Sequence, residues 1–245
     1  MSTSPRFSVV IPCFNRGDKL KRTLRSLDGQ SFKDFEVVMV NDGSTDNTKE
    51  VMEKYAFKYL DVKVINHTER KERVASRNDG MKAASGEWIC WLDSDDEYFS
   101  NTLEVLNDAI ETFPDYQIFN YGSIIHWHRK KDEFITKIGA TFKPDVQGKG
   151  HVSFKSGFIG TGRFIFKRSL LRKIPPLIPS MRPYGDPGCF PELNRNPEYP
   201  MREDGQWIPF GNPWGEDYHF FWLLTREHQS KPLDMNLYIE HRRAA

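Results

Sequence analysis

The chain has 245 residues, 38% hydrophobic and 28% charged, and its 35 basic residues against 34 acidic ones leave a formal net charge of +1. This length suffices for a substantial buried core, and the balanced charge argues against a nucleic-acid-binding domain, which carries a basic excess. Aromatic residues at 13% exclude a disordered acidic chain, and three scattered cysteines (Cys13, Cys90 and Cys189) form neither a disulfide framework nor a zinc motif.

In chain order, residues 7–11 (Phe-Ser-Val-Val-Ile) are a short β-branched run of the kind seen in a parallel strand covered on both faces. Asp18 can cap a helix whose Leu20, Leu24 and Leu27 recur at helical spacing and which ends near Gly29. A second buried strand is predicted over 35–40. Turn chemistry follows at Asn41-Asp42-Gly43-Ser44, and Asp46 caps a helix carrying Val51, Met52 and Tyr55. Residues 62–65 read as a third strand, and 73–84 as a helix stopped at Ser85-Gly86, where glycine suits a left-handed helix end. Residues 88–92 (Trp-Ile-Cys-Trp-Leu) form a fourth strand. Ser100 then caps a helix through Thr112, closed by Pro114.

Repeated strand–helix units predict an α/β fold, with a Rossmann-like, mostly parallel twisted sheet flanked by helices and joined by right-handed crossovers. In such sheets the loops at the carboxyl ends of the strands line the ligand crevice. Here those loops are Pro12-Cys13-Phe14-Asn15, Asn41-Asp42-Gly43-Ser44 and Asp93-Ser94-Asp95-Asp96, which are expected to converge on one edge.

The second half reads differently. Residues 116–127 and 133–138 predict a hairpin around a charged turn, 164–166 a strand, and 169–173 a short helix. Between 175 and 215 glycine and proline are too frequent for a long regular element, and a loop of that length is usually functional. Residues 216–227 predict a strongly aromatic helix, and 237–239 a last strand.

Three carboxylates within Asp93-Ser94-Asp95-Asp96 repel one another unless a cation or hydrogen-bond donors neutralise them. Oxygen ligands at a strand end suit Mg²⁺ or Mn²⁺ carrying a diphosphate; an acidic capping turn is the structural alternative. Asp42, at its own strand tip, can accept a hydrogen bond from a base or ribose. Arg73 and Arg77 lie four residues apart on one helix face, where they would suit a nucleotide's anionic part.

Taken in order and spacing, Val-Val-Ile-Pro-Cys-Phe-Asn, Val-Asn-Asp-Gly-Ser-Thr-Asp, Arg-Asn-x-Gly and Leu-Asp-Ser-Asp-Asp resemble the family 2 inverting glycosyltransferases of the GT-A fold. The resemblance covers about the first 115 residues and resumes at Trp214-Gly215-Glu216-Asp217, similar to the family's Glu-Asp helix start. It implies that Pro12, Phe14, Asp42 and Arg73 hold the nucleoside, most often uridine, with Asn15, Arg77 and Ser94 beside them. It further places Asp93 near the ribose, and Asp95 and Asp96 at the Mn²⁺ or Mg²⁺, with His241 as a candidate to complete the metal site. Asp217, next to Glu216, would be the general base that takes the acceptor hydroxyl's proton as it attacks the anomeric carbon. Thr161 and Gly162 lie where the family builds its acceptor pocket, and Trp214 offers a flat face on which a sugar ring stacks.

The resulting expectation is one catalytic domain spanning 1–245, with a donor half (1–115) and an acceptor half (116–245). It would take a nucleotide-sugar donor, of the UDP type, and a saccharide or lipid-linked saccharide acceptor in polysaccharide or glycolipid synthesis. Two rivals remain: a nucleotidyltransferase, which would release pyrophosphate from a nucleoside triphosphate, and a non-catalytic nucleotide- or carbohydrate-binding module. No apolar run approaches the roughly 18 residues of a membrane span, and Met1-Ser2-Thr3-Ser4-Pro5-Arg6 lacks the apolar region of a signal peptide. A cytoplasmic protein is therefore expected, at most peripheral at the inner face of a membrane.

Overall fold

The computed structural model describes residues 4–58, 61–130, 133–138, 161–172, 224–225 and 228–243. Strands β1 (Phe7–Cys13), β2 (Phe35–Asn41) and β4 (Trp88–Trp91) are apolar along almost their whole length because both faces of the sheet are covered. On one face Phe7, Val9, Ile11, Val37 and Met39 pack against Leu20, Leu24 and Leu27 of α1 (Gly17–Asp28), Met52 of α2 (Thr48–Lys58) and Leu103 and Leu106 of α4 (Thr102–Thr112). On the other, Val10, Val38 and Trp91 meet Val74 and Met81 of α3 (Glu72–Ala83).

With β3 (Val62–Asn66), these strands form a parallel block ordered β3-β2-β1-β4. The sheet continues through β8 (Phe164–Lys167), antiparallel to β4, then β6 (Ile118–Lys130), β9 (Ser230–Arg243) and β5 (Glu97–Tyr98). β7 (Glu133–Ile138) pairs antiparallel with β6 as the predicted hairpin. From β1 the chain builds outward through β2 and β3 and then returns to place β4 on β1's other side. The loops after β1 and β4 thus flank a topological switch point. The pairing of Cys13 with Asn41 sets the ends of β1 and β2 level, so their loops emerge side by side. No described helix is long and apolar enough to cross a membrane.

Local capping departs from the sequence expectation in three places. Asp18 lies inside the first turn of α1, whose cap position, Arg16, makes no side-chain cap. The work passes to residues distant in sequence: Gly17 N–H donates to Asp46 Oδ2 at 3.2 Å and Arg16 N–H to Thr48 Oγ1 at 2.8 Å. Asp46 also accepts the Thr48 N–H at 3.0 Å, so one carboxylate serves the starts of α1 and α2. α4 begins at Thr102 rather than from Ser100, whose carbonyl instead accepts the Ser31 N–H at 2.8 Å. α3 ends on Ala84 in extended geometry, and Gly86 serves a close approach: a Cβ there would lie 2.7 Å from the Phe7 carbonyl carbon and the Ser8 nitrogen. The last strand is also far longer than predicted, because charged residues and Pro232 hide its alternation.

The edge opposite the loops is fastened by Glu36, 3% exposed. Its Oε1 accepts Ser8 Oγ–H and Ser85 N–H, both at 2.5 Å, and Gly86 N–H at 3.2 Å, while Lys63 Nζ reaches Oε2 at 2.7 Å. Burial alone would raise this carboxyl's pKa, but the hydrogen bonds from Lys63, Ser8 and Ser85 outweigh it and hold the pKa below its ordinary value. A depressed folded-state pKa stabilises the fold above the ordinary carboxylate range, and that stabilisation fades as pH falls through the folded-state value. Glu36→Gln should therefore cost about 2 kcal/mol at neutral pH, read as a lower urea midpoint with unchanged slope. The gap to wild type should narrow as the solution is acidified below the ordinary carboxylate range; a gap constant with pH would remove the ionised Glu36 from the account.

Candidate functional site

The loop after β2 is held by its own side chains. Asn41 Oδ1 accepts the Ser44 N–H at 3.0 Å, and Gly43 takes φ +67° with its α-carbon pressed on the Glu69–Arg70 backbone, 2.6 Å from where a Cβ would stand. Asp42 is thereby buried at the tip of the strand, its N–H on the Cys13 carbonyl at 2.8 Å. Asp42 Oδ1 receives the Lys71 N–H at 2.7 Å and faces His67 Nδ1 at 2.9 Å. Asn15, at φ +50°, ties the first loop to the second: its N–H donates to Ser44 Oγ at 3.1 Å and its Oδ1 accepts the Thr45 N–H at 2.9 Å. Phe14 carries the Arg70 guanidinium 4.3 Å over its ring, and Arg70 in turn meets Glu72 at 2.9 Å.

In the acidic loop each carboxylate has a separate partner. Arg77, fully buried and 5.4 Å over the Trp91 ring, reaches Asp93 Oδ1 at 3.1 Å. Asp95 Oδ2 lies 3.0 Å from Lys19 Nζ and 3.5 Å from Arg16 Nε. Asp96 is buried and turned toward β9: Oδ2 accepts the Tyr238 hydroxyl at 2.9 Å and Oδ1 the His241 N–H at 2.8 Å. Burial, then the charge of Asp93, push Asp96 well above the ordinary carboxylate value, with the His241 N–H pulling the other way. The same Tyr238 oxygen accepts the Asp93 N–H at 3.1 Å, so one buried hydroxyl links both ends of the acidic turn to β9. Gly162 makes room for that ring: a Cβ there would fall 2.0 Å from Tyr238 Cε2.

Between the loops opens a cleft of about 480 Å³. Pro12, Phe14, Asp42, Arg73, Asp93, Ser94 and Asp95 all line it, so seven residues singled out from four separate segments meet in one place. Arg16 and Arg70 also line it; both were overlooked in the sequence because neither belongs to a patterned motif. Others stand elsewhere. Asn15 braces two loops, and Arg77 lies beneath Asp93 rather than on the cleft wall. His241, expected at the metal, points its ring at Glu97 Oε1 (2.7 Å), and Asp96 is spent on β9. Gly162 sits buried against Tyr238, and Thr161 starts the short 3-10 turn Thr161–Arg163. Trp214, Glu216 and Asp217 lie outside the described residues.

Among the described residues no group of three or more His, Cys, Asp or Glu side chains is arranged to hold a metal ion. Asp93 and Asp95, two hard oxygen donors on the cleft wall, fit the other pattern, in which a divalent cation takes one or two carboxylates and completes its shell with phosphate oxygens and water. Asp95 already answers to positive charge, being paired with Lys19 and Arg16.

Tyr238→Phe keeps the ring and deletes the hydroxyl shared by Asp93 and Asp96. It should cost about 1–3 kcal/mol of stability, measured by thermal or urea unfolding. An unchanged unfolding free energy would show that the hydroxyl does not fasten the acidic loop.

Comparison with known proteins adds three findings. Residues 8–174 match the family described as glycosyl transferase family 2. The chain is 35% identical over 173 residues to the GalNAc(5)-diNAcBac-PP-undecaprenol beta-1,3-glucosyltransferase of Campylobacter jejuni, a match covering 68% of this chain and 53% of that protein. Its fold is similar to that of TarS from S. aureus in complex with UDP-GlcNAc (TM-score 0.61, 20% identity, 98% of this chain and 59% of that one). It is similar also to the mannosyltransferase PcManGT from Pyrobaculum calidifontis in complex with GDP-Man and Mn²⁺ (TM-score 0.58, 15% identity, 98% and 57%). The matches thus span little more than half the length of these relatives.

Proposed function

Because the chain belongs to glycosyl transferase family 2, we propose that it moves a sugar from a nucleotide-sugar donor of the uridine diphosphate type to an acceptor hydroxyl. One observation carries this reading: a single cleft joins a clamped carboxylate, Asp42, to an acidic edge, Asp93 and Asp95, with Arg16, Arg70 and Arg73 around it. That is the chemistry of a nucleoside diphosphate, with a base to accept from at one end and a charged diphosphate to neutralise at the other. The UDP-GlcNAc held by the similarly folded TarS supports a uridine donor.

In this reading Asp42 accepts a base N–H, Phe14 packs on the base, and Arg73 and Arg16 meet the anionic part. Arg77 holds Asp93 in place from below. Asp95 and Asp93 hold the divalent cation, a role supported by the Mn²⁺ complex of PcManGT. When bound, such a cation offers Lewis-acid charge to the departing diphosphate. Asp217 takes the proton of the attacking hydroxyl, and one in-line displacement inverts the anomeric centre. Beside this cation site Asp96 meets the Tyr238 hydroxyl and the His241 N–H, and the His241 ring meets Glu97. Residues 1–115 then form the donor half and 116–245 the acceptor half of one catalytic unit, with Thr161 and Trp214 on the acceptor side. A lipid-linked saccharide acceptor, met at the inner face of a membrane, is supported by the undecaprenol-PP-linked saccharide in the name of the Campylobacter jejuni relative.

The test is a screen of nucleotide sugars with Mn²⁺ for release of nucleoside diphosphate, followed by acceptors for the best donor. A UDP-sugar should be consumed with release of UDP. Asp217→Asn should lower turnover by about 10²–10⁴-fold with donor affinity retained, and Asp95→Ala should abolish the metal-dependent part of donor binding. Release of pyrophosphate from a nucleoside triphosphate would instead establish a nucleotidyltransferase, and turnover intact in Asp217→Asn would remove Asp217 as the base.

A further inference from the structure

His67 joins two acidic side chains from different parts of the chain and touches the cleft through one of them. It follows β3 directly, its N–H still on the Asn41 carbonyl at 2.9 Å, and its side chain is 3% exposed. Nδ1 lies 2.9 Å from Asp42 Oδ1, and Nε2 lies 2.9 Å from Asp79 Oδ2 on α3. Lys71 N–H adds a second donor to the same Asp42 oxygen at 2.7 Å. Oδ1 is thus occupied twice, whereas no described residue donates to Oδ2. A carboxylate gripped through one oxygen cannot rotate about its Cβ–Cγ bond without giving up both bonds, so its second oxygen is presented in a fixed direction.

We propose that His67, braced by Asp79, is a positioning residue that holds Asp42 as a fixed acceptor, so that the cleft selects a base presenting a ring N–H. The proposal rests on the donor-site reading above, in which Asp42 meets the base. An ionised carboxylate only accepts. Uracil offers a ring N–H at N3, whereas cytosine offers a lone pair at the same atom. A clamped acceptor facing a lone pair leaves both unsatisfied, which disfavours the cytidine nucleotide by roughly tenfold to a hundredfold. A freely turning Asp42 would discriminate less, since it could swing away to water and escape the penalty.

The experiment is calorimetric titration of the full chain with UDP, CDP and inorganic diphosphate, each with Mn²⁺, for wild type, Asp42→Ala, His67→Ala, His67→Asn and Asp79→Asn. Asparagine is chosen because its amide nitrogen falls near the place of Nδ1. Asp79→Asn is included because Asp79 is 41% exposed and off the cleft wall, so the change spares the fold even if His67→Ala does not. Wild type should prefer UDP over CDP. His67→Ala should weaken UDP binding about tenfold and shrink the preference, with diphosphate affinity unchanged. His67→Asn should recover much of the loss, and Asp79→Asn should show the same loss of preference in milder form.

A preference that survives in both His67→Ala and Asp79→Asn, while Asp42→Ala loses it, overturns the positioning role and leaves the donor site standing. Equal weakening toward UDP, CDP and diphosphate also overturns it, because that is the mark of a merely structural residue. Wild type that binds none of the three overturns the donor-site reading and this proposal together.

Discussion

The constraint on which the rest of the structure turns is the neutralisation of three carboxylates crowded into four residues at the end of β4. Left in a common environment they would repel one another and lower the stability of the loop that holds them. The fold separates them. Asp93 meets a fully buried arginine, Asp95 meets two partly exposed cations, and Asp96 is withdrawn into the core onto the Tyr238 hydroxyl and the His241 N–H. A net charge of +1 over the whole chain conceals this local problem, which is solved by position and not by composition.

The three solutions differ in strength, and the difference matters for chemistry. Asp93 is 32% exposed, but its partner Arg77 is fully buried and Asp96 is itself buried, so breaking either contact would strand a polar group away from water. The Asp95 pairs are partly exposed, at 24% for Asp95 and 34% for Lys19, and pairs of that kind contribute about 1 kcal/mol or less. Asp95 is therefore the carboxylate that can change partners at little cost, while Asp93 and Asp96 hold the turn in shape. The same division appears across the cleft, where Asp42 is clamped through one oxygen and offers the other.

Much of this was legible in the chain. The apolar runs over β1, β2 and β4 announced a sheet covered on both faces, and the polar turn after each pointed to one edge; the level pairing of Cys13 with Asn41 is the structural counterpart of that expectation. What escaped depends on contacts between residues far apart in sequence. Asp46 capping two helices, Glu36 gathering donors from three segments, and Tyr238 reaching Asp93 and Asp96 leave no local pattern to read. Gly162 illustrates the same limit. Its place suggested an acceptor contact, but its requirement for glycine comes from the Tyr238 ring. His67 belongs to no motif in the sequence, and only the fold reveals a carboxylate at each ring nitrogen.

The central claim is that one cleft binds the base of a donor nucleotide at Asp42 and its metal-bound diphosphate at Asp95. The most direct measurement is an anomalous difference map from crystals of the protein grown with UDP and Mn²⁺. The account predicts a single manganese peak at bonding distance from the Asp95 carboxylate, bridged to the diphosphate, with the uracil ring N–H on Asp42 Oδ2. A nucleotide lodged outside this cleft, or manganese bound with Asp95 still paired to Lys19 and Arg16, would contradict it.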